Sequence, residues 1–267
     1  MNDAPIGVFD SGIGGLTVAA AIMRALPAER VVYLGDTARV PYGPKSPATV
    51  LRYSQQIATF LLEQRVKAIV IACNTATAHA LETLQREMPV PVIGVVQPGA
   101  RAAVSTSRNR RIGVIGTSGT INSGAYARAI AALAPDAIVV DAACPLFVPL
   151  VEEGWIDHPA TRMIAESYLA PMRDAGIDTL VLGCTHYPLL APVIVDVLGA
   201  GVTLVDSAAE TALALRDVLA QRGLQASGAV AGLAHRFVAT DGPDAFRRVG
   251  QRFIGPALDR VETTVFA

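Results

Sequence analysis

Nine short apolar runs set the limits on what this chain can fold into. They are "PIGVFD" (5–10), "RVVYLGD" (30–36), "KAIVIAC" (67–73), "VPVIGVV" (90–96), "RIGVIGT" (111–117), "DAIVVDA" (136–142), "DTLVLGC" (178–184), "VTLVDS" (202–207) and "HRFVAT" (235–240). They are rich in Val and Ile, and most are continuous rather than alternating. Continuous runs suit strands buried on both faces, as in a parallel sheet with helices on each side. Each is about six residues long, far short of the roughly 20 needed to span a bilayer. The segments between them are punctuated as helices. Ser46-Pro47 reads as an N-cap with proline at the first helical position, and Asp157 or His158 ahead of Pro159 opens a helix running to about Asp174. The class is α/β with crossover connections.

The order of parts repeats. "IGVFDSG" begins at Ile6 and "IGVIGTSG" at Ile112; a strand ending in cysteine follows each at a similar distance, at Cys73 and Cys184. One more strand then follows each, reaching Gln97 and Ser207. We read two pseudosymmetric, doubly wound lobes with mainly parallel sheets. The first lobe is expected to hold 1–97 plus a folded-back 208–267, the second 98–207. In open parallel sheets ligands bind off the carboxyl ends of the strands, so the expected active site lies in an inter-lobe cleft.

Composition excludes several classes of function. The hydrophobic fraction is 52% and the charged fraction 17%, which describes a core-rich globular chain. A net charge of −1 gives no reason to expect nucleic acid or a membrane surface as partner. The opening "MNDAPIGVFDSG" lacks the basic and apolar regions of an export signal, and the three cysteines are unclustered. Together these predict reduced thiols in the cytoplasm. No zinc-like spacing is present, and no metal is expected.

The glycine-rich "GVFDSGIGGLTV" is not a dinucleotide fingerprint, because after Gly12 and Gly14 the third glycine position is Thr17. It reads either as a backbone nest for a carboxylate at a helix start or simply as a tight turn. Lysine occurs only at Lys45 and Lys67, neither well placed for a Schiff base, so no cofactor is expected. Cys73 and Cys184 each end a strand ahead of an expected helix, where free N–H groups and the dipole favour thiolate. Two such thiols facing one carbon can remove a proton from one face and return one to the other, which inverts it. Asp10, ending the first strand, and His186 are plausible partners, although an N-cap and a packed histidine remain open readings. Cys144, ahead of Pro145, is read as inert packing.

Taken together, "GVFDSGIGGLTV", "YLGDTARVPYG", "ACNTATA", "VIGVVQPGA", "GVIGTSGT", "CPLFVPLVEEG", "LGCTHYPLL" and "LVDSA" resemble the bacterial glutamate racemase family of the aspartate/glutamate racemase superfamily. The resemblance runs from Ile6 to about Ser207. It implies a cofactor-independent isomerase that converts L-glutamate to D-glutamate for peptidoglycan synthesis. Cys73 would be the base toward D-glutamate, supported by Asp10, and Cys184 the base toward L-glutamate, supported by His186. It also implies Glu152 as a catalytic helper; spacing alone leaves Glu152 an ordinary surface glutamate. Ser11, Tyr42, Gly43, Asn74, Thr75, Thr117, Thr120 and Thr185 resemble substrate-contacting positions. The expected partner is glutamate itself, with room for a homodimer, and the short segment before Ile6 does not lead us to expect control by a peptidoglycan precursor. Two alternatives stand beside this reading: a racemase of aspartate or a hydantoin, and a non-catalytic two-lobed protein that binds an anion.

Overall fold

The structure is a computed structural model that describes residues 3–228, 234–255 and 258–266. Its strands are β1 (Ile6–Asp10), β2 (Val31–Gly35), β3 (Ala68–Ile71), β4 (Val92–Gly94), β5 (Arg111–Gly116), β6 (Ile138–Ala143), β7 (Thr179–Gly183), β8 (Thr203–Asp206), β9 (Arg236–Ala239) and β10 (Glu262–Thr263). Its helices are α1 (Leu16–Ala25), α2 (Pro47–Glu63), α3 (Asn74–Glu87), α4 (Val96–Thr106), α5 (Ser118–Asn122), α6 (Ala125–Leu133), α7 (Phe147–Glu152), α8 (Pro159–Asp174), α9 (Ala191–Leu198), α10 (Ser207–Gln221) and α11 (Pro243–Ile254). Every apolar run becomes a strand, trimmed at its ends. Only β10, two residues long, was too short to leave a pattern.

Two compact units emerge. One holds the residues up to Val95 and from Ala208 on; the other is Val96–Ser207. The first contains a six-stranded sheet in the order β10-β9-β2-β1-β3-β4, the second a four-stranded sheet in the order β6-β5-β7-β8. Every pairing is parallel. The stretches β2-β1-β3-β4 and β6-β5-β7-β8 have the same order, so Cys73 follows β3 and Cys184 follows β7 at equivalent places.

In the first unit the side chains of each strand alternate between two cores, as the two-residue period of a strand requires. Ile6, Val8, Val31, Tyr33, Ala68 and Val70 face one side, packed by α1, α10 and α11. Phe9, Val32, Leu34, Ile69 and Ile71 face the other, packed by α2 and α3. Both faces are covered, which explains why these strands read as unbroken apolar runs. Each fully buried Val, Leu, Ile or Phe stabilises by roughly 1.5–3 kcal/mol relative to exposure, so these layers dominate the stability of the unit. In the second unit Ile112, Val114, Val181 and Val205 pack under α4 and α6, and α8 packs on α9 and β6.

The helix starts follow their caps. Ser46 Oγ accepts from Thr49 N at 3.3 Å, with Pro47 leading α2. His158 Nδ1 accepts from Ala160 N at 3.1 Å, with Pro159 leading α8. Among the described residues, no helix is long and apolar enough to cross a membrane.

Candidate active site

The parallel pairing of β1 with β3 brings two of the expected residues off the sheet on neighbouring strands. Phe9 is in register with Ile71, and Ala72 N donates to Phe9 O at 2.8 Å. Asp10 and Cys73 therefore leave the sheet at the same end. Asp10 is almost wholly buried, and its Oδ2 accepts from Gly12 N at 3.0 Å. Cys73 is the N-cap of α3: its Sγ accepts from Ala76 N at 3.4 Å and lies 3.7 Å from Ser11 Oγ, to which the thiol donates. A sulfur at this position receives a main-chain N–H and the positive end of a 14-residue helix, and both favour thiolate. Asn74 and Thr75, the first residues of α3, are buried beside it.

Tyr42 and Gly43 lie on the connection between β2 and α2. That connection is organised by Asp36, which is fully buried. Arg39 Nε donates to both carboxylate oxygens, at 3.0 and 2.8 Å. Thr240 Oγ1 donates to Oδ1 at 3.0 Å, and the Tyr42 hydroxyl donates to Oδ2. Burial, then the charge of Asp36, pushes the Tyr42 phenol well above its ordinary range, so it stays a donor. Tyr42 is only 1% exposed and its hydroxyl is committed to Asp36. What the Tyr42–Gly43 segment can offer a ligand is therefore main chain rather than phenol.

The second unit treats its thiol differently. The sequence suggested a new helix a residue or two after Cys184; the structure has a 3-10 turn, Tyr187–Leu190, before α9 begins at Ala191. Cys184 Sγ lies 3.9 Å from His186 Nδ1, and His186 Nε2 lies 3.0 Å from Glu152 Oε1 at the end of α7. Cys184, His186 and Glu152 thus form a continuous chain from the mouth of β7 to a half-exposed carboxylate. Burial opposes charge on the imidazole, but hydrogen bonds to Cys184 and Glu152 outweigh it and raise His186 to about 10. Both contacts favour the charged form of the ring.

Thr117 ends β5 as the N-cap of α5; its Oγ1 accepts from Thr120 N at 3.3 Å and lies 3.1 Å from Thr120 Oγ1. Thr185 is buried next to Cys184. The third thiol, Cys144, is buried and points its Sγ at Ala142 O, 3.7 Å away; burial, then the charge of Cys184, pushes it up to about 12. It therefore stays a protonated thiol.

Sequence reasoning missed four participants. Asp36 had a signal, an acid ending β2 just as Asp10 ends β1. Thr240 had none, because its role depends on β9 pairing with β2 from far along the chain. Tyr33 and Tyr187 were not singled out, yet each donates its hydroxyl to a main-chain carbonyl near a site: Gly12 O for Tyr33 and Cys144 O for Tyr187, both at 2.8 Å.

Comparison with known proteins agrees with this architecture. A family profile described as Asp/Glu/Hydantoin racemase matches residues 6–215. A glutamate racemase from Geobacter metallireducens is 55% identical over 256 residues, covering 96% of this chain and 94% of the relative. The crystal structure of a glutamate racemase isoform from Bacillus anthracis superposes with a TM-score of 0.94 at 40% identity, covering 100% of this chain and 98% of that one. That of the Francisella tularensis glutamate racemase, in complex with D-glutamate, superposes with a TM-score of 0.92 at 39% identity, covering 99% and 98%. With a family match over most of its length, and strand-end thiols at equivalent places in two parallel sheets, the chain belongs to the Asp/Glu/Hydantoin racemase family and is an amino-acid racemase.

Proposed function

We propose that this enzyme interconverts L- and D-glutamate by two-base proton transfer at the α-carbon, without a cofactor. Cys73 and Cys184 are the two bases, and both serve the same carbon. The observation that carries this reading is the equivalent placement of two partnered thiols, each at the carboxyl end of a sheet strand. Glutamate as substrate is supported by the relatives, among them the Francisella protein crystallised with D-glutamate.

In this mechanism one thiolate removes the α-proton while the opposite thiol delivers a proton to the other face. Toward D-glutamate, Cys73 is the base, its anion stabilised by Ala76 N–H and α3, with Asp10 the neighbouring carboxylate. Toward L-glutamate, Cys184 is the base, and its thiolate sits against the His186 imidazolium, itself held by Glu152. Ser11, the Tyr42–Gly43 main chain, Asn74, Thr75, Thr117, Thr120 and Thr185 hold the amino acid and its two carboxylates. Of the two lysines, Lys67 is closed into a buried ion pair with Glu29 at 2.5 Å, which leaves it no role as a Schiff base. The product feeds peptidoglycan synthesis in the cytoplasm, a location in keeping with three free thiols.

The test is circular dichroism of dialysed protein offered L-glutamate, L-aspartate and a hydantoin in parallel. The signal of L-glutamate should decay to zero with no added cofactor or metal. Decay of aspartate or the hydantoin while glutamate persists would overturn the substrate, and decay that needs pyridoxal phosphate would overturn the mechanism.

A further inference from the structure

We propose that Tyr33 is a positioning residue for one half of the reaction: its hydroxyl holds the Gly12 main chain at the carbonyl, and the same residue's N–H holds Asp10 beside Cys73. This inference rests on the two-thiol reading above. Tyr33 is on β2, one strand away from β1, and is fully buried. Its ring is packed by Phe237 and Phe246, with centroids at 6.5 and 6.0 Å, so the hydroxyl has one place to go. It donates to Gly12 O at 2.8 Å, and the N–H of the same residue donates to Asp10 Oδ2 at 3.0 Å. The Gly12 residue is thus gripped at its carbonyl by a core phenol and grips the Asp10 carboxylate with its amide.

The surroundings are shaped for this contact. A Cβ at Gly35 would collide with the Gly12 carbonyl, and one at Gly15 would fall 2.9 Å from the Tyr33 oxygen and 2.5 Å from Asp10 Cβ. Two glycines therefore make room for the loop, and one hydroxyl holds it. Burial, then the negative groups Asp10 and Cys73, keeps the phenol protonated and donating. The same two neighbours show that the hydroxyl lies within electrostatic reach of the base and its carboxylate. Phenylalanine would fill the same volume, so what the hydroxyl adds is its bond to Gly12 O.

The consequence is directional. Loss of the hydroxyl should loosen Asp10 and slow proton removal by Cys73, while leaving the Cys184 half intact. Overall racemisation cannot show this, because thermodynamics links its two directions. Glutamate carrying chloride on Cβ separates them: the base takes the α-proton, the α-carbon electron pair forms the Cα=Cβ bond, and chloride leaves. The enamine then takes up water to give 2-oxoglutarate and ammonium, so only one thiol is needed.

Tyr33→Phe, wild type and Cys73→Ser are assayed for elimination from both enantiomers, with a thermal melt of each protein. In Tyr33→Phe the expected result is a fall of about tenfold in kcat for the D-form, with KM changed less than about threefold and the L-form rate within about threefold of wild type. The retained L-form rate also certifies the fold. Equal losses on both enantiomers, or no loss on either, while Cys73→Ser remains selectively dead on the D-form, would overturn the role of Tyr33 and leave the two-thiol reading standing. Equal loss of both eliminations in Cys73→Ser would overturn the two-thiol reading and this inference with it.

Discussion

Cys73 and Cys184 end equivalent strands in sheets of the same order, yet their surroundings have little in common. Cys73 caps a long helix and takes a main-chain N–H from Ala76. Cys184 precedes a 3-10 turn and lies beside the His186 ring, itself backed by Glu152. On the two-thiol reading, one base would be assisted by fixed dipoles that do not titrate, the other by an imidazole that does. The lesson is that the position of a strand-end thiol can be preserved while the groups around it are replaced. The two halves of the reaction should therefore respond differently to mutation and to pH.

The largest expected effects compare the thiols themselves. Cys73→Ala and Cys184→Ala should each lower racemisation by at least about 10⁴-fold, because a two-base cycle stops when either proton carrier is missing. Cys144→Ala should stay within about threefold of wild type, since its thiol remains protonated in the core. A racemisation assay in which Cys144→Ala is the most damaging of the three would contradict the assignment.

Next come the partners. His186→Asn removes the cation beside Cys184, and loss of a group that manages a proton costs roughly 10²–10⁴-fold. Glu152→Gln keeps the imidazole but weakens its charge, and should cost about ten- to a hundredfold in kcat. Its elimination from the L-form should suffer while that from the D-form survives. If Glu152→Gln instead hurts the D-form, the carboxylate serves the other thiol and the contrast between the two sites fails.

A third comparison concerns stability in the first unit. Tyr42→Phe leaves the buried Asp36 carboxylate short of one donor, at a cost of about 1–3 kcal/mol by denaturant unfolding. Tyr53, whose ring lies 5.8 Å from that of Tyr42 between centroids, makes no such bond to Asp36, and Tyr53→Phe should cost less. Equal costs would mean that Tyr42 contributes packing rather than a bond to Asp36.

The smallest effect is in the pH dependence of stability. His186 binds its proton more tightly folded, at about 10, than unfolded, near 6.5. A raised folded pKa contributes stability that is complete below about 6.5 and is lost as pH climbs through about 10. Tm should therefore fall over this window, and fall less in His186→Asn. A steeper fall in the variant would show that the imidazole is not the charged partner.

How much of this was legible in advance follows from what kind of interaction each feature uses. Strands such as β1, β3 and β7 announce themselves because burial on both faces demands unbroken apolar runs. The caps at Ser46 and His158 were readable because capping is local. Cys73 and Cys184 stood out because a strand end followed by polar residues is a local pattern too. The Asp36 network was not legible, because Thr240 reaches it only through pairing of β9 with β2. The turn after Cys184 was legible as a helix start, but its 3-10 character was not. Glu152 came from resemblance alone: its contact with His186 depends on where α7 lies in the second unit, which spacing does not reveal.

The central claim is that each thiol is the base for one enantiomer, and the most direct measurement crosses the two serine variants with the two β-chloro enantiomers. A serine hydroxyl keeps the shape but rarely ionises at neutral pH, so each variant loses one base and keeps the other. Cys73→Ser should fail to eliminate chloride from the D-form and still eliminate it from the L-form; Cys184→Ser should show the reverse. Equal loss of both eliminations in both variants would contradict the account, because the two cysteines would then not be acting as opposite-handed bases.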